Sequence, residues 1–363
     1  MRLRKLRLQG FRSYATLDLD IDPERRTLFF GSNGSGKTNL IEALSYLSAG
    51  RSCLRLAPDT AVRWGDMFFR LEADATSDSG EDLTLEYVFQ TTPKRQNACF
   101  IRGQRSPLTS FIGALPTIIF LPEHLDLFSG APQGRRQFID ALLAQLIPGF
   151  PAARLEYDRI LKQRNAALKM IALGSLPQAE LMIWNRQLAA SAIPIVQHRR
   201  TVLSALSSAL PDAAEHFGES WQDVRIDVQS RGGDSEASFL AALEEQVTRD
   251  LVTQTTSVGP HRDDWQIVVD TRALPTFASR GQQRAALLSL LVASASLFTE
   301  YRKERPIILL DDVYSELDAA HQEALTATLS DAQILMTSTH SAPGHPELLQ
   351  RLVSDGSVRD ADV

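Results

Sequence analysis

Only two cysteines, Cys53 and Cys99, occur in 363 residues, too few for a disulfide framework or a cluster of thiols at zinc spacing. A reducing cytoplasm is the expected setting. Long hydrophobic runs are missing too, and none approaches the ~20 residues of a membrane-spanning helix. The first eight residues interleave arginine and lysine with leucine and hold no separate apolar core, so they do not read as a secretory signal. Internal repeats, low-complexity tracts, helix-turn-helix patterns and zinc signatures are also lacking. A positive excess is missing as well. The net charge of −6 argues against a general polyanion binder, but it conceals a division. Residues 1–200 hold 26 Lys/Arg against 19 Asp/Glu (+7), and residues 201–363 hold 12 against 25 (−13), which together give −6. Charge segregated in this way suggests one basic surface.

What is present is the size and composition of a soluble protein: 44% apolar, 23% charged, and long enough for two domains or one with a large insertion. Its most informative stretch is Gly31-Ser32-Asn33-Gly34-Ser35-Gly36-Lys37-Thr38, which fits G-x-x-x-x-G-K-[ST] at every fixed position. It lies between an apolar run (Leu28, Phe29, Phe30) and a helical pattern (Leu40, Ile41, Ala43, Leu44, Leu47). Glycines there let backbone N–H groups close on phosphate oxygens, and the helix start adds its positive end. Lys37 would reach the β- and γ-phosphates and the Thr38 hydroxyl would hold Mg²⁺. The expected ligand is a nucleoside triphosphate, ATP.

Leu3, Leu6 and Leu8, then Leu17, Leu19 and Ile21, read as two early strands. Short strand-like runs from Phe68 to Val88 and Cys99 to Arg102 suggest an antiparallel flank on the nucleotide-binding sheet. After Pro122 the period becomes helical: Arg135–Ile147, Arg154–Ala172, and Gln178–Ala209 with Pro194 marking a break or kink. Residues 1–122 and 251–363 are therefore expected to form an α/β phosphate-loop head, and residues 123–250 an inserted, mostly helical arm.

Past the insertion, Pro306-Ile307-Ile308-Leu309-Leu310 is a buried-strand run ending in Asp311 and Asp312. In phosphate-loop ATPases such a strand is expected beside the one feeding the loop, with its first Asp on the Mg²⁺ and the next acid orienting the attacking water. Ser279-Arg280-Gly281-Gln282-Gln283-Arg284 opens a long helical run and is a second anion site, a serine and a close-approach glycine at a helix start. One nucleotide does not need two γ-phosphate sites, so Ser279, Gly281 and Gln282 are expected to serve an ATP held by another copy of the chain. Ser315-Glu316-Leu317-Asp318 has the position of a loop linking paired subunits. Two readings stay open for His340, a γ-phosphate sensor or a surface histidine at a strand end.

This order and spacing resemble the ABC-type ATPases of the SMC group, and within that group the RecF family. The resembling pieces are Gly10-Phe11-Arg12-Ser13-Tyr14, the loop Gly31–Thr38, Phe120-Leu121-Pro122-Glu123-His124-Leu125, and Arg135-Arg136 through Asp140. Leu161 through Asn165, Gly259-Pro260-His261-Arg262-Asp263-Asp264, Ser279–Arg284 and Leu310–Asp318 complete the set, which spans nearly the whole chain. The resemblance implies a cytoplasmic protein of DNA replication and recombinational repair, with an ABC-type head and a helical arm. It also implies binding to double-stranded or gapped DNA when loaded with ATP, partnership with RecR and RecO, placement of RecA at gaps, and no membrane. Asp312 stands where ABC ATPases generally carry Glu, as is usual for RecF, and the shorter side chain fits slow turnover. The glutamine that joins head to arm in ABC ATPases has no clear counterpart, which leaves Glu123 or His124.

The expected mechanism is a clamp. Gly31–Thr38 and Asp311 hold ATP and Mg²⁺, Arg12 adds charge against the phosphates, and Ser279 and Gly281 of a second protomer close over the γ-phosphate in a symmetric dimer. Hydrolysis resets it. Expected DNA contacts are Arg51, Arg55, Lys94, Arg95, Arg102, Arg105, Arg135 and Arg136, with Arg159, Lys162, Arg164 and Lys169 on the arm. They would grip phosphates and weaken with salt. Two other classes fit this sequence less well. A transporter ATPase subunit would carry Leu-Ser-Gly-Gly-Gln and a shorter insert, and a structural SMC-type tether would need hundreds of residues of sustained heptads.

Overall fold

Leucine alternating with charge makes Arg2–Phe11 a strand (β1), but the alternation slips between Leu3 and Leu6, both of which are buried. A register shift between Leu3 and Lys5 absorbs the odd spacing, as an inserted residue in an antiparallel pair does. In this computed structural model, which describes residues 1–221, 223–312, 317–345 and 347–361, β1 pairs with β2 (Tyr14–Asp20) on one side and β4 (Phe68–Thr76) on the other. The antiparallel sheet continues through β5 (Asp82–Gln90), β6 (Gln96–Ile101) and β7 (Gln104–Ser106), and the short helix α2 (Leu108–Phe111) packs against β6.

A second sheet carries the chemistry. Its order is β15 (Ser357–Asp360), β14 (Leu348–Ser354), β3 (Arg26–Phe30), β13 (Ile334–Ser338), β12 (Ile307–Leu310) and β8 (Thr117–Phe120). All neighbouring pairs are parallel except β14–β15. The acidic strand β12 was expected beside β3; instead β13 lies between them. Sheet order is set by long-range pairing that the sequence of either strand does not encode, and the inserted strand brings Thr337 to the acids.

Helix α1 (Lys37–Ala49) is buried nearly all round. Tyr46 meets Phe69 and Tyr87 of the antiparallel sheet, each at 5.3 Å between ring centroids, and Leu309 and Leu335 of the parallel sheet belong to the same core. A helix apolar on every side is one that has been enclosed.

By its contacts the chain divides into Met1–Leu125 with Asp212–Ser220 and Ser279–Val363, and Asp126–Pro211 with Trp221–Ala278. The second unit contains α3 (Pro132–Leu146), α4 (Phe150–Ala172), most of α5 (Leu181–Glu215), α6 (Glu236–Glu245) and α7 (Val247–Thr253). A small antiparallel sheet of β9 (Val224–Gln229), β10 (Asp264–Val269) and β11 (Arg272–Ala273) joins them. Two expectations change here. The return to the head falls at Ser279 rather than 251, because β10 pairs along its length with β9 and the Trp265 indole donates to the Arg135 carbonyl at 2.9 Å. Of the break or kink expected at Pro194, the break does not occur: the long helix α5 runs through both Pro194 and Pro211. No helix among the described residues is long and apolar enough to cross a membrane.

The second unit is locked by buried ions. Arg164, fully buried, donates to Asp250 at 2.8 Å, Thr256 Oγ1 at 2.7 Å and Asn185 Oδ1 at 2.8 Å. Removing one partner of such a pair leaves an uncompensated charge in the interior, so Arg164→Met is expected to lower stability by about 3–5 kcal/mol. Urea unfolding of the full chain checks this, and a loss under about 1 kcal/mol, the ceiling for a surface ion pair, would contradict it.

Candidate nucleotide-binding site

Strand β3 delivers the chain to the loop, and the loop's glycines answer specific contacts. A Cβ at Gly31 would stand 2.3 Å from the Val353 carbonyl oxygen. Gly36, the residue before α1, has φ +109°, and a Cβ there would stand 2.7 Å from Ser13 Oγ. The buried Tyr14 hydroxyl donates to the Gly36 carbonyl at 3.0 Å, and burial raises its pKa so that it keeps its proton. Both neighbours come from Gly10–Tyr14, which is where that segment meets the loop.

Lys37 Nζ donates to the carbonyls of Gly31 at 2.8 Å and Ser32 at 2.9 Å, drawing the loop around the ammonium. Burial pulls its pKa down, opposed by the charges of Asp312 and Asp311. Ser35 Oγ is buried and has no hydrogen-bond partner among the described residues, so one donor within the loop is left for an anion.

Asp311 is buried at the end of β12. The Thr38 hydroxyl lies 3.1 and 3.0 Å from its two oxygens, and the Thr337 hydroxyl donates to Oδ1 at 2.6 Å. Burial raises the Asp311 pKa; the Thr337 and Thr38 hydrogen bonds oppose this, and Asp312 and Glu123 add to it. Asp312 follows with φ +51°, its N–H donating to Thr337 Oγ1 at 2.9 Å. One threonine therefore organises both acids, and sequence reasoning missed it. Its signal was the polar end of the apolar run Ile334–Met336. No group of three His, Cys, Asp or Glu side chains forms a metal cage among the described residues. A hydroxyl and a carboxylate at this separation instead fit Mg²⁺ shared with nucleotide phosphates.

Ser32, Asn33 and Gly34 are exposed on the loop. Helix α8 (Arg280–Arg302) begins with a reciprocal cap: Ser279 Oγ accepts from the Gln282 N–H at 3.2 Å, and the Gln282 side chain accepts from the Ser279 N–H at 3.1 Å. Ser279, Arg280 and Gly281 face solvent, and a Cβ at Gly281 would meet nothing closer than Ser279 Oγ at 3.8 Å. His340 is exposed just beyond β13, whose last residue Ser338 pairs with Phe30 at the loop entrance; its ring hydrogen-bonds Thr339 Oγ1 at 2.8 Å. His124 turns inward, its Nδ1 accepting from the Leu121 N–H at 3.3 Å, and burial lowers its pKa to about 4. Glu123 is exposed and is the one of the two whose charge acts on Asp311. Ser315 and Glu316 lie outside the described residues, and Asp318 caps helix α9 (Ala319–Thr328), accepting from the His321 N–H at 2.9 Å.

Some expectations are corrected. Arg12 does not face the phosphate loop: its guanidinium pairs through two nitrogens with buried Glu42, each at 2.7 Å, and through the third with the Thr60 carbonyl at 2.8 Å. Of the DNA candidates, Arg135 is buried, paired with Asp264 at 2.7 and 2.9 Å and donating to three carbonyls. Arg136 is half-buried and donates to the Asp263 carbonyl at 2.7 Å. Arg164 is interior, as described. Arg51, Arg55, Lys94, Arg95, Arg102 and Arg105 are exposed, as are Arg159, Lys162 and Lys169; Arg95 pairs with Asp59, Arg102 with Glu81 and Arg159 with Glu156.

A family model described as an AAA domain matches residues 5–92. The DNA replication and repair protein RecF of Acidothermus cellulolyticus is 34% identical over 100% of both chains. That of Moorella thermoacetica is 35% identical over 96% of this chain and 93% of its own, and that of Heliobacterium modesticaldum 33% over 97% and 96%. A solved structure of the recombination mediator protein RecF with ATP, in the RecFOR pathway, superposes with a TM-score of 0.91 at 25% identity, covering 99% of this chain and 97% of the other. An Smc head bound to a winged-helix domain of ScpA gives 0.55 at 13% identity, covering 99% and 97%. The fold is that of an ABC-type ATPase head.

Asp311 also sets a pH test. With its pKa raised above the ordinary 3.8, the native state holds this proton to higher pH than the unfolded chain. The penalty is absent below the ordinary value and grows as pH rises through the raised one. Without metal, Asp311→Asn is expected to melt above the wild type near neutral pH, with the difference shrinking towards about pH 4. Thermal melts across that range check it; a variant melting lower throughout would contradict the assignment.

Proposed function

The chain belongs to the RecF family of DNA replication and repair proteins, and from that membership we propose that it is an ATP-gated DNA clamp in which two copies share two nucleotides. The Gly31–Thr38 backbone and Ser35 Oγ cradle the phosphates, and Lys37 moves from the loop carbonyls onto them. Thr38 and Asp311 hold Mg²⁺, which when bound neutralises phosphate charge. Asp312 orients the attacking water and accepts its proton. Its side chain is one carbon shorter than the glutamate common at this position, which supports slow turnover.

The observation that carries the shared site is the start of α8. Ser279 and Gly281 form a capped, solvent-facing helix N-terminus with open space above the glycine. Such an end favours an anion, and a second protomer's γ-phosphate is the anion it would take. Each nucleotide then bridges the two chains, and loss of the γ-phosphate opens the bridge. His340, at the mouth of β13, is placed to sense that loss.

The mated pair holds double-stranded or gapped DNA through exposed cations of the head, among them Arg55, Lys94 and Arg95, by contacts that are independent of sequence. Family membership supports action in the cytoplasm alongside RecR and RecO, helping to place RecA at single-strand gaps. A transporter subunit lacks support because the signature reads Ser-Arg-Gly-Gln-Gln-Arg. A long tether lacks it because α4 and α5 span only 23 and 35 residues.

Asp312→Asn is expected to bind ATP with near wild-type affinity, to lose at least about tenfold in hydrolysis rate as a positioned base is removed, and to accumulate as dimer. Sedimentation velocity with saturating ATP checks it, and a monomeric Asp312→Asn would remove the support for the shared site.

A further inference from the structure

Trp64 has 97% of its surface exposed. It stands on a turn that is pinned on both sides: the Arg63 N–H donates to the Gly10 carbonyl at 2.8 Å, and the Asp66 N–H to the Arg63 carbonyl at 3.0 Å. Gly65, with φ +91°, closes the turn, and a Cβ there would meet no residue beyond its chain neighbours within 4 Å. An indole in this position contributes nothing to the core, yet its backbone is held in place. Leu56 and Met67, also exposed, lie on the same segment.

The surroundings decide what such a ring is suited to. The turn between β5 and β6 is tied to the same segment, not to the ring: Thr91 donates to the Met67 carbonyl from both N–H and hydroxyl at 2.9 Å, and Arg95 pairs with Asp59. Arg63, Lys94 and Arg95 thereby lie at one end of the antiparallel sheet, Arg63 beside Asp66 and Arg95 beside Asp59. From residue 87 to 122 the chain has no acid at all while carrying Lys94, Arg95, Arg102 and Arg105. Arg102 turns to the opposite end, donating to Glu81 at 2.8 Å, and does not belong to this group. An apolar partner face would not call for this charge. A polyanion with flat rings would, because aromatic side chains stack on bases of any sequence while cations track the flanking phosphates.

We propose that Trp64 is a stacking platform for an unpaired base, so that this surface binds DNA where single strand meets duplex. The proposal rests on the DNA-binding reading above and names the part of the DNA that this surface reads. Paired bases inside a duplex hide their faces, so the ring adds nothing to binding of an intact blunt helix. It adds affinity only where a base is free.

Anisotropy titrations of the full chain with ATP, at two salt concentrations, separate the possibilities. The DNAs are a blunt duplex and the same duplex with a single-stranded tail, and the proteins are wild type, Trp64→Ala and Trp64→Phe. In the wild type the tail is expected to tighten binding by about tenfold, the scale of one stacked base. Trp64→Ala is expected to lose that gain while keeping wild-type affinity and salt dependence on the blunt duplex, and Trp64→Phe to keep most of it. An alanine variant indistinguishable from wild type on both DNAs overturns the proposal and leaves the surface to a protein partner. Equal weakening on both DNAs overturns it as well, since the ring would then be a general contact. If the wild type binds neither DNA at low salt, the DNA-binding reading falls together with the proposal.

Discussion

A carboxylate removed from water must be met by hydrogen-bond donors or by a cation, and at Asp311 that requirement shapes the head. Its donors come from two other elements: Thr38 at the start of α1 and Thr337 on β13. For both hydroxyls to reach, β13 must lie between β3 and β12, and α1 must begin where the glycine loop ends. The loop's tight turns, the enclosure of α1 between two sheets and the position of Asp312 follow from this arrangement. The same oxygens that satisfy the acid in the protein alone are those a hard cation would take over. Folding thus brings Thr38, Asp311 and Thr337 together within one chain.

The second unit solves a related problem with whole ions. Arg135, Arg164 and Arg199 each meet aspartates of the later part of the chain: Asp264, Asp250, and Asp263 at 3.6 Å. The division between a basic first part and an acidic second part is thus partly cancelled in space, arginine by arginine, inside the arm. Several motifs that mark the family serve this internal network. His261, from the Gly259–Asp264 run, shares a hydrogen bond with the Tyr157 hydroxyl at 2.6 Å and binds the Thr256 carbonyl at 2.9 Å, with burial lowering its pKa to about 4. Buried pairs of this kind cost desolvation and need partners of fixed geometry. The cations that stay exposed lie on both units, Arg55, Lys94 and Arg105 on the head and Lys162 and Lys169 on the arm.

What could be read from the sequence was local in character. The phosphate loop is a matter of spacing within eight residues, and α1 follows from its apolar period, so both were legible. The acidic pair at the end of β12 was legible for the same reason. Thr337 was not, because its importance depends on which strand lies beside β12. The return to the head was misplaced because the partner of β10 is β9, some forty residues earlier. Arg135 and Arg55 look alike in composition, yet one is enclosed by Asp264 and three carbonyls and the other is open to solvent. Arg12 looked like a phosphate ligand until the buried Glu42 gave it a nearer partner. Long-range partners decide these cases.

The central claim is that a complete nucleotide site needs the loop of one copy and the α8 start of another. Lys37→Met removes the first half and Ser279→Arg the second, so each variant alone should neither hydrolyse ATP nor form the ATP-dependent dimer. Mixing the two tests the claim directly, because a mixed pair contains one intact composite site. The account predicts that the equimolar mixture recovers ATP hydrolysis, up to about a quarter of the wild-type rate if chains pair at random in a two-fold dimer. A mixture as inactive as its components, with both variants shown to be folded, would contradict it.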